Sequence, residues 1–253
     1  MKKFLTAALA GVLAASMLFT GCGKKKAESK IPETIVVGTN AEFPPFEFVN
    51  KDKKVDGFDI AVMKEIGKRV GSKVEIRNME FKSLVGSMES GNLDVIAAGM
   101  TVTEEREEAV DFSDSYYNAN QYVIEKSSGK IDIKKKEDLE NLTIAVQEGT
   151  TGDILATKEI KGSDVKRFRK GVDAVMDLKK GGSDVVIIDS NPAQEFVKAN
   201  KDLKIVKNLF EEEHYAFAVQ KGNEKLKDAI NDALKEMKKD GTFDKLIKQY
   251  IGQ

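Results

Sequence analysis

The chain has no tryptophan, one cysteine, one histidine and four prolines, and each shortage closes off some chemistry. A single cysteine, Cys22, cannot form an internal disulfide. With His214 as the only histidine, no metal-ligand cluster and no nucleophile-base pair can be assembled from the side chains present. Neither sign of charge dominates, since 41 lysines and arginines face 42 aspartates and glutamates. The two signs are interspersed, so there is no basic stripe of the kind that binds nucleic acid. Arginine itself is scarce, with five against 36 lysines, so generic surface charge is left to lysine.

What is present begins with an address. Met1, Lys2 and Lys3 give a basic start, residues 4–19 an apolar run too short to span a membrane, and Thr20-Gly21-Cys22 a small-residue cleavage point. Residues 1–21 therefore read as a signal peptide. Cys22 after Thr-Gly resembles a bacterial lipobox, in which the cysteine is diacylated, with Phe19 where leucine is usual. Residues 22–33 then form a lipid-anchored tether, charged and flexible, holding the protein at the outer face of the cell membrane.

From residue 34 the chain repeats strand-then-helix units. A β-branched strand at 34–39, an amphipathic helix at 58–70, a strand at 73–77 and a helix at 81–90 predict a parallel sheet. The pattern restarts with strands at 142–146, 165–168 and 184–188 and helices between them. The expected fold is α/β with two lobes. Residues 34–120 plus 214–253 make the first and 121–213 the second, and extended segments at 121–125 and 215–219 join them as a two-strand hinge. Leu226, Ile230, Leu234 and Met237 recur at helical spacing and read as ordinary core.

The segment 94–106 carries the most chemistry. Residues 94–99 read as a buried strand ending on the small Ala98-Gly99, where a ligand can approach the main chain. Thr101 or Thr103 then caps a helix with Glu104 and Glu105 in its first turn and Arg106 beyond. Free N–H groups and a planar guanidinium so placed suit a small carboxylate. The plainer reading is a solvated Arg106 paired with Glu105 or Asp111.

Together with 38–48, 55–60, 111–114, 147–151 and 239–243, this segment resembles the polar amino-acid-binding proteins of ABC importers. The chain is most similar to the glutamine and arginine/lysine/histidine branch in a Gram-positive lipoprotein form. The resemblance implies a periplasmic-binding-protein-like fold, a polar L-amino acid as ligand, and a permease with ATPase subunits as partners. No cofactor or metal is implied, and nothing suggests more than a monomer. It also implies roles. Phe43 and Phe81 sandwich the ligand side chain, the Ala98 carbonyl beside Gly99 accepts from its ammonium, and Thr101 contacts both ends. Arg106 clamps the α-carboxylate, assisted by the backbone N–H of Thr151, and Asp189 receives the α-ammonium. A helix cap before Pro192 is the alternative role for Asp189.

At the side-chain end the resemblance places Asn40 and Gln147, both uncharged. A buried cation without a carboxylate partner is costly, which favours a glutamine-like ligand over arginine or lysine unless Glu148 turns into the cleft. A dehydratase-like enzyme or a ligand-sensing module on the same fold are the alternatives, although Asp111 and Asp114 read as caps rather than an acid/base pair. Changing Cys22 to Ser is expected to release the protein from membranes or block its processing. Membrane retention of a correctly cleaved Cys22→Ser protein would contradict the anchor.

Overall fold

The computed structural model describes residues 31–129 and 131–252, so the leader 1–21 and Cys22 lie outside the described residues. Two sheets carry the fold. In the first, Lys73–Asn78, Thr34–Thr39 and Val95–Ile96 run parallel in that spatial order, and Ala218–Gln220 enters antiparallel between Val95–Ile96 and Val110–Phe112. The second repeats the plan. Asp164–Phe168, Thr143–Gln147 and Val185–Asp189 run parallel, and Tyr117–Lys126 lies antiparallel between Val185–Asp189 and Leu203–Val206. This is the α/β, two-lobe architecture expected from the alternation of strand and helix periods.

The central strands are covered on both faces, which is why Val95–Ile96, Thr143–Gln147 and Val185–Asp189 read as nearly continuous apolar runs. Ile35 and Val37 pack against Phe58, Val62, Met63 and Ile66 of the Phe58–Val70 helix. On the opposite face Ile96 meets Leu84, Met88 and Leu93. In the second lobe Val186 and Ile188 lie with Ala174, Val175 and Leu178, while Ile144, Val146 and Ile187 lie with Leu139, Ala156 and Ile160. Each fully buried side chain of this size contributes about 1.5–3 kcal/mol. The helix Glu224–Lys239 buries Leu226, Ile230, Leu234 and Met237, as its spacing predicts.

The crossover uses one long strand twice. At its start, Tyr117 lies opposite Tyr215 and Asn120 opposite Glu212. From Gln121 onward the same strand belongs to the second sheet, with Gln121 opposite Asp189. The joining pair is thus 117–120 with 212–215, a few residues earlier than the 121–125 and 215–219 segments expected. Nothing in the composition of a continuous ten-residue strand marks where it changes partner. Phe46, fully buried, seals the junction, with ring centroids 5.0 Å from Tyr117 and 5.2 Å from Tyr215.

The 94–99 segment also departs from expectation. Only Val95–Ile96 is strand, and the chain then leaves the sheet. Gly99 has φ +50°, which a strand cannot accommodate, and its N–H turns to the Asp59 carboxylate at 2.8 Å. A Cβ at this position would lie 2.8 Å from the Phe43 ring, so glycine is required by both backbone and space. Of the two candidate caps, Thr103 is the one used, its hydroxyl accepting from the Arg106 N–H at 3.2 Å.

Candidate functional site

Between the lobes lies a nearly closed cavity of about 10 Å³, roughly the room of a single water molecule. From the first lobe it is lined by Asn40, Phe43, Phe81, the Ala98-Gly99 backbone turn, Thr101 and Arg106. The second lobe supplies Gln147, Thr150, Thr151 and Asp189. Every residue singled out from the sequence for ligand contact is therefore brought to one enclosure, with Thr150 in addition. Thr150 is the cap of the Thr151–Lys158 helix, its hydroxyl accepting from the Asp153 N–H, and this turns the first helical residue, Thr151, toward the cavity.

Arg106 is buried, and its guanidinium donates to two carbonyls rather than to a carboxylate, Thr101 O at 2.6 Å and Gly149 O at 3.1 Å. Its carbon sits 5.3 Å from the centroid of the Phe81 ring. Burial lowers its pKa, opposed by the charges of Glu213 and Asp189. The solvated arginine considered from the sequence is therefore not what the fold builds. A buried cation held only by neutral carbonyls is suited to a bound anion.

Asp189 ends its strand at the opposite wall. Although it occupies the position before the Ser190–Ala199 helix, its side chain makes no cap hydrogen bond. Instead it accepts from the Tyr215 hydroxyl at 2.5 Å. Burial first, then the charge of Glu213, pushes its pKa up to about 7. Asn40 and Gln147 close the enclosure by a direct bond between lobes, Gln147 Nε2 donating to Asn40 Oδ1 at 2.9 Å. Glu148, whose direction the sequence left open, is turned outward and pairs with Lys82 at 2.9 Å on the cavity rim.

Three acids escaped the sequence reading. Asp59 accepts from Gly99 N–H and, at 2.7 Å, from the Tyr116 hydroxyl, and burial pushes its pKa up to about 7. Glu47 is fully buried, and among the described residues neither of its oxygens has a hydrogen-bond partner. It stands directly across the Glu42–Phe43 and Glu47–Val49 ladder from Phe43, so the two side chains leave the same face. Burial, with the charges of Asp59 and Asp189, holds its carboxyl well above the usual range. Glu213, on the crossover strand, accepts from Thr101, Thr151 and Gln121. Glu47 and Asp59 lie within the quoted 38–48 and 55–60 motifs, whereas Glu213 sits in a glutamate run indistinguishable from a solvated face.

Comparison with known proteins matches residues 35–253 to the model of "Bacterial extracellular solute-binding proteins, family 3". The arginine-binding extracellular protein ArtP of Bacillus subtilis is 34% identical over 258 residues, covering 99% of this chain and 98% of that protein. An ancestral arginine-binding protein solved with arginine is 43% identical, with a TM-score of 0.83 over 87% of this chain and 99% of that one. The ancestral arginine-binding protein solved with glutamine is 42% identical, with a TM-score of 0.82 over 88% and 100%. These relatives are binding proteins rather than enzymes.

The titration of Asp59 has a measurable consequence. Burial holds its pKa in the folded protein at about 7 against an ordinary aspartate value of 3.8, so the folded state holds a proton that the unfolded chain releases. That contribution to stability is complete below about pH 4 and is lost as pH rises through about 7. Denaturant unfolding without ligand is expected to show stability falling between about pH 4 and pH 7, by an amount of order a few kcal/mol. Asp59→Asn keeps an acceptor for Gly99 and Tyr116 and should flatten that slope. Equal slopes in both proteins would contradict the assignment.

Proposed function

The chain belongs to family 3 of the bacterial extracellular solute-binding proteins, and from that premise we propose that it captures a polar L-amino acid and delivers it to an ABC permease and its ATPase subunits. Delivery from the outer face of the cell membrane, by a protein anchored through a diacylated Cys22, completes the reading. The observation that carries it is the placement of Arg106 and Asp189 in one cavity, one from each lobe, both buried. Opposite charges facing a shared enclosure fit a zwitterion whose carboxylate meets Arg106 and whose ammonium meets Asp189. Phe43 and Phe81 offer ring faces to the side chain. Because the two charges belong to different lobes, binding favours the closed arrangement of a hinged pair.

For the side chain, arginine is the better fit. Arg106 and Asp189 line the cavity, while Asp59 and Glu47 lie buried outside its lining, both pushed by burial toward the protonated form. A zwitterion adds no net charge there, whereas a cationic side chain adds one, which favours ionisation of the neighbouring buried carboxyls. Asn40 supplies an amide oxygen at that end, occupied by the Gln147 amide N–H. Glutamine is the second reading, favoured by the Asn40–Gln147 bond, since a ligand amide can take the place of either partner.

Competition calorimetry separates the two. Arginine is expected to bind at least about tenfold more tightly than glutamine, and Glu47→Gln to erase most of that margin, because the variant has no carboxyl to ionise beside the added cation. Tighter binding of glutamine in the unaltered protein would establish the second reading. Arg106→Ala should cost either ligand roughly 3–5 kcal/mol, the penalty for unpairing a buried charge. A loss below about threefold, or binding of neither amino acid, would sink the proposal.

A further inference from the structure

Resting on the reading of this cavity as an amino-acid site, we infer that Glu213 sets the hydrogen-bonding polarity of the two cavity threonines and so determines that the site selects an α-ammonium. One carboxylate oxygen, Oε2, lies 2.7 Å from Thr101 Oγ1, 2.9 Å from Thr151 Oγ1 and 3.2 Å from Gln121 Nε2. Thr101 belongs to the first lobe and Thr151 and Gln121 to the second, while Glu213 itself sits on the strand that joins them.

Both hydroxyls donate to Glu213 Oε2, so each threonine spends its single hydroxyl proton there. What remains for a bound molecule is lone pairs. Thr151 has part of that capacity taken by Gln121, whose amide donates to it at 3.0 Å, while Thr101 keeps both lone pairs. Both threonines line the cavity. Their hydroxyls can therefore serve a donor such as an ammonium and cannot serve a carboxylate, whose donors must come from Arg106 and backbone N–H groups. The two lobes thereby each present a hydroxyl acceptor to the ligand. A ligand carrying a hydroxyl in place of the α-ammonium loses protons that these acceptors require, and unpaired buried polar groups are costly.

Glu213 touches the threonines rather than the ligand, so it is a positioning residue, and its signature is a ratio rather than an affinity. The experiment measures arginine and glutamine by calorimetry, each against its counterpart with a hydroxyl replacing the α-ammonium, in the full chain and in Glu213→Gln. A glutamine at 213 can donate to the threonine oxygens and free their protons to turn inward. The preference for the amino acid over its hydroxy counterpart is expected to shrink by about tenfold, the scale of one hydrogen bond to a charged group. Thr101→Val should shrink it similarly and add little in the Glu213→Gln background, because the two act through one hydroxyl. Fully additive effects would instead assign Glu213 a purely Coulombic part and overturn the inference. So would an unchanged ratio with both ligands weakened equally, which is what loss of a merely structural contact produces. If the unaltered protein binds neither amino acid, the underlying reading fails first and this inference with it.

Discussion

A charge removed from water must be paired, and the cavity between the lobes is organised around that constraint. Arg106 is buried among carbonyls on one wall, and Asp189 is buried beside a tyrosine hydroxyl on the other. Neither is neutralised by a direct partner of opposite charge, and each is the kind of group that a zwitterion's two ends satisfy. Burial raises the Asp189 pKa for the same reason that it lowers that of Arg106, since the low-dielectric wall penalises both charged forms. A bound ammonium reverses the penalty on Asp189, and a bound carboxylate that on Arg106.

The rest of the fold serves the meeting of those walls. Ion pairs cross the rim between Lys82 and Glu148, Glu42 and Lys170, Glu80 and Arg169, and Glu105 and Lys158. All are solvent-accessible, and pairs of that kind contribute about 0–1 kcal/mol each, so they guide the lips together more than they hold them. The interior contacts are fewer but desolvated, namely the Asn40–Gln147 amide bond, the reach of Arg106 to the Gly149 carbonyl, and the Glu213 carboxylate that gathers donors from both lobes. Phe46, packed between Tyr117 and Tyr215, makes the crossover a solid joint rather than a loose linker. Closure, on this view, is governed from inside the cavity and from the joint beneath it.

Much of this was legible in the sequence, and the boundary has physical causes. Strand and helix periods revealed the two-lobe α/β fold because each element packs one regular face. The residues around Arg106 pointed to an anion because arginine is scarce here and follows a small-residue turn and a cap. Glu47 and Glu213 were invisible as individuals, because their importance lies in what stands across a ladder or across a lobe boundary. Glu47 faces Phe43's side only through strand pairing, and Glu213 meets Thr101 and Thr151 only through the crossover. The strand at 94–99 was overestimated because its apolar run continues through Ala97 and Ala98, while the Asp59 carboxylate, distant in sequence, draws Gly99 out of the sheet.

The central claim is that one zwitterion draws two walls together. Small-angle scattering of the protein with and without saturating arginine tests it most directly, alongside an Asp189→Asn variant at the same ligand excess. A smaller radius of gyration on binding in the unaltered protein, with little or no contraction in the variant, is the result predicted. Superimposable curves for the unaltered protein with and without ligand, under conditions where calorimetry shows it saturated, would contradict it.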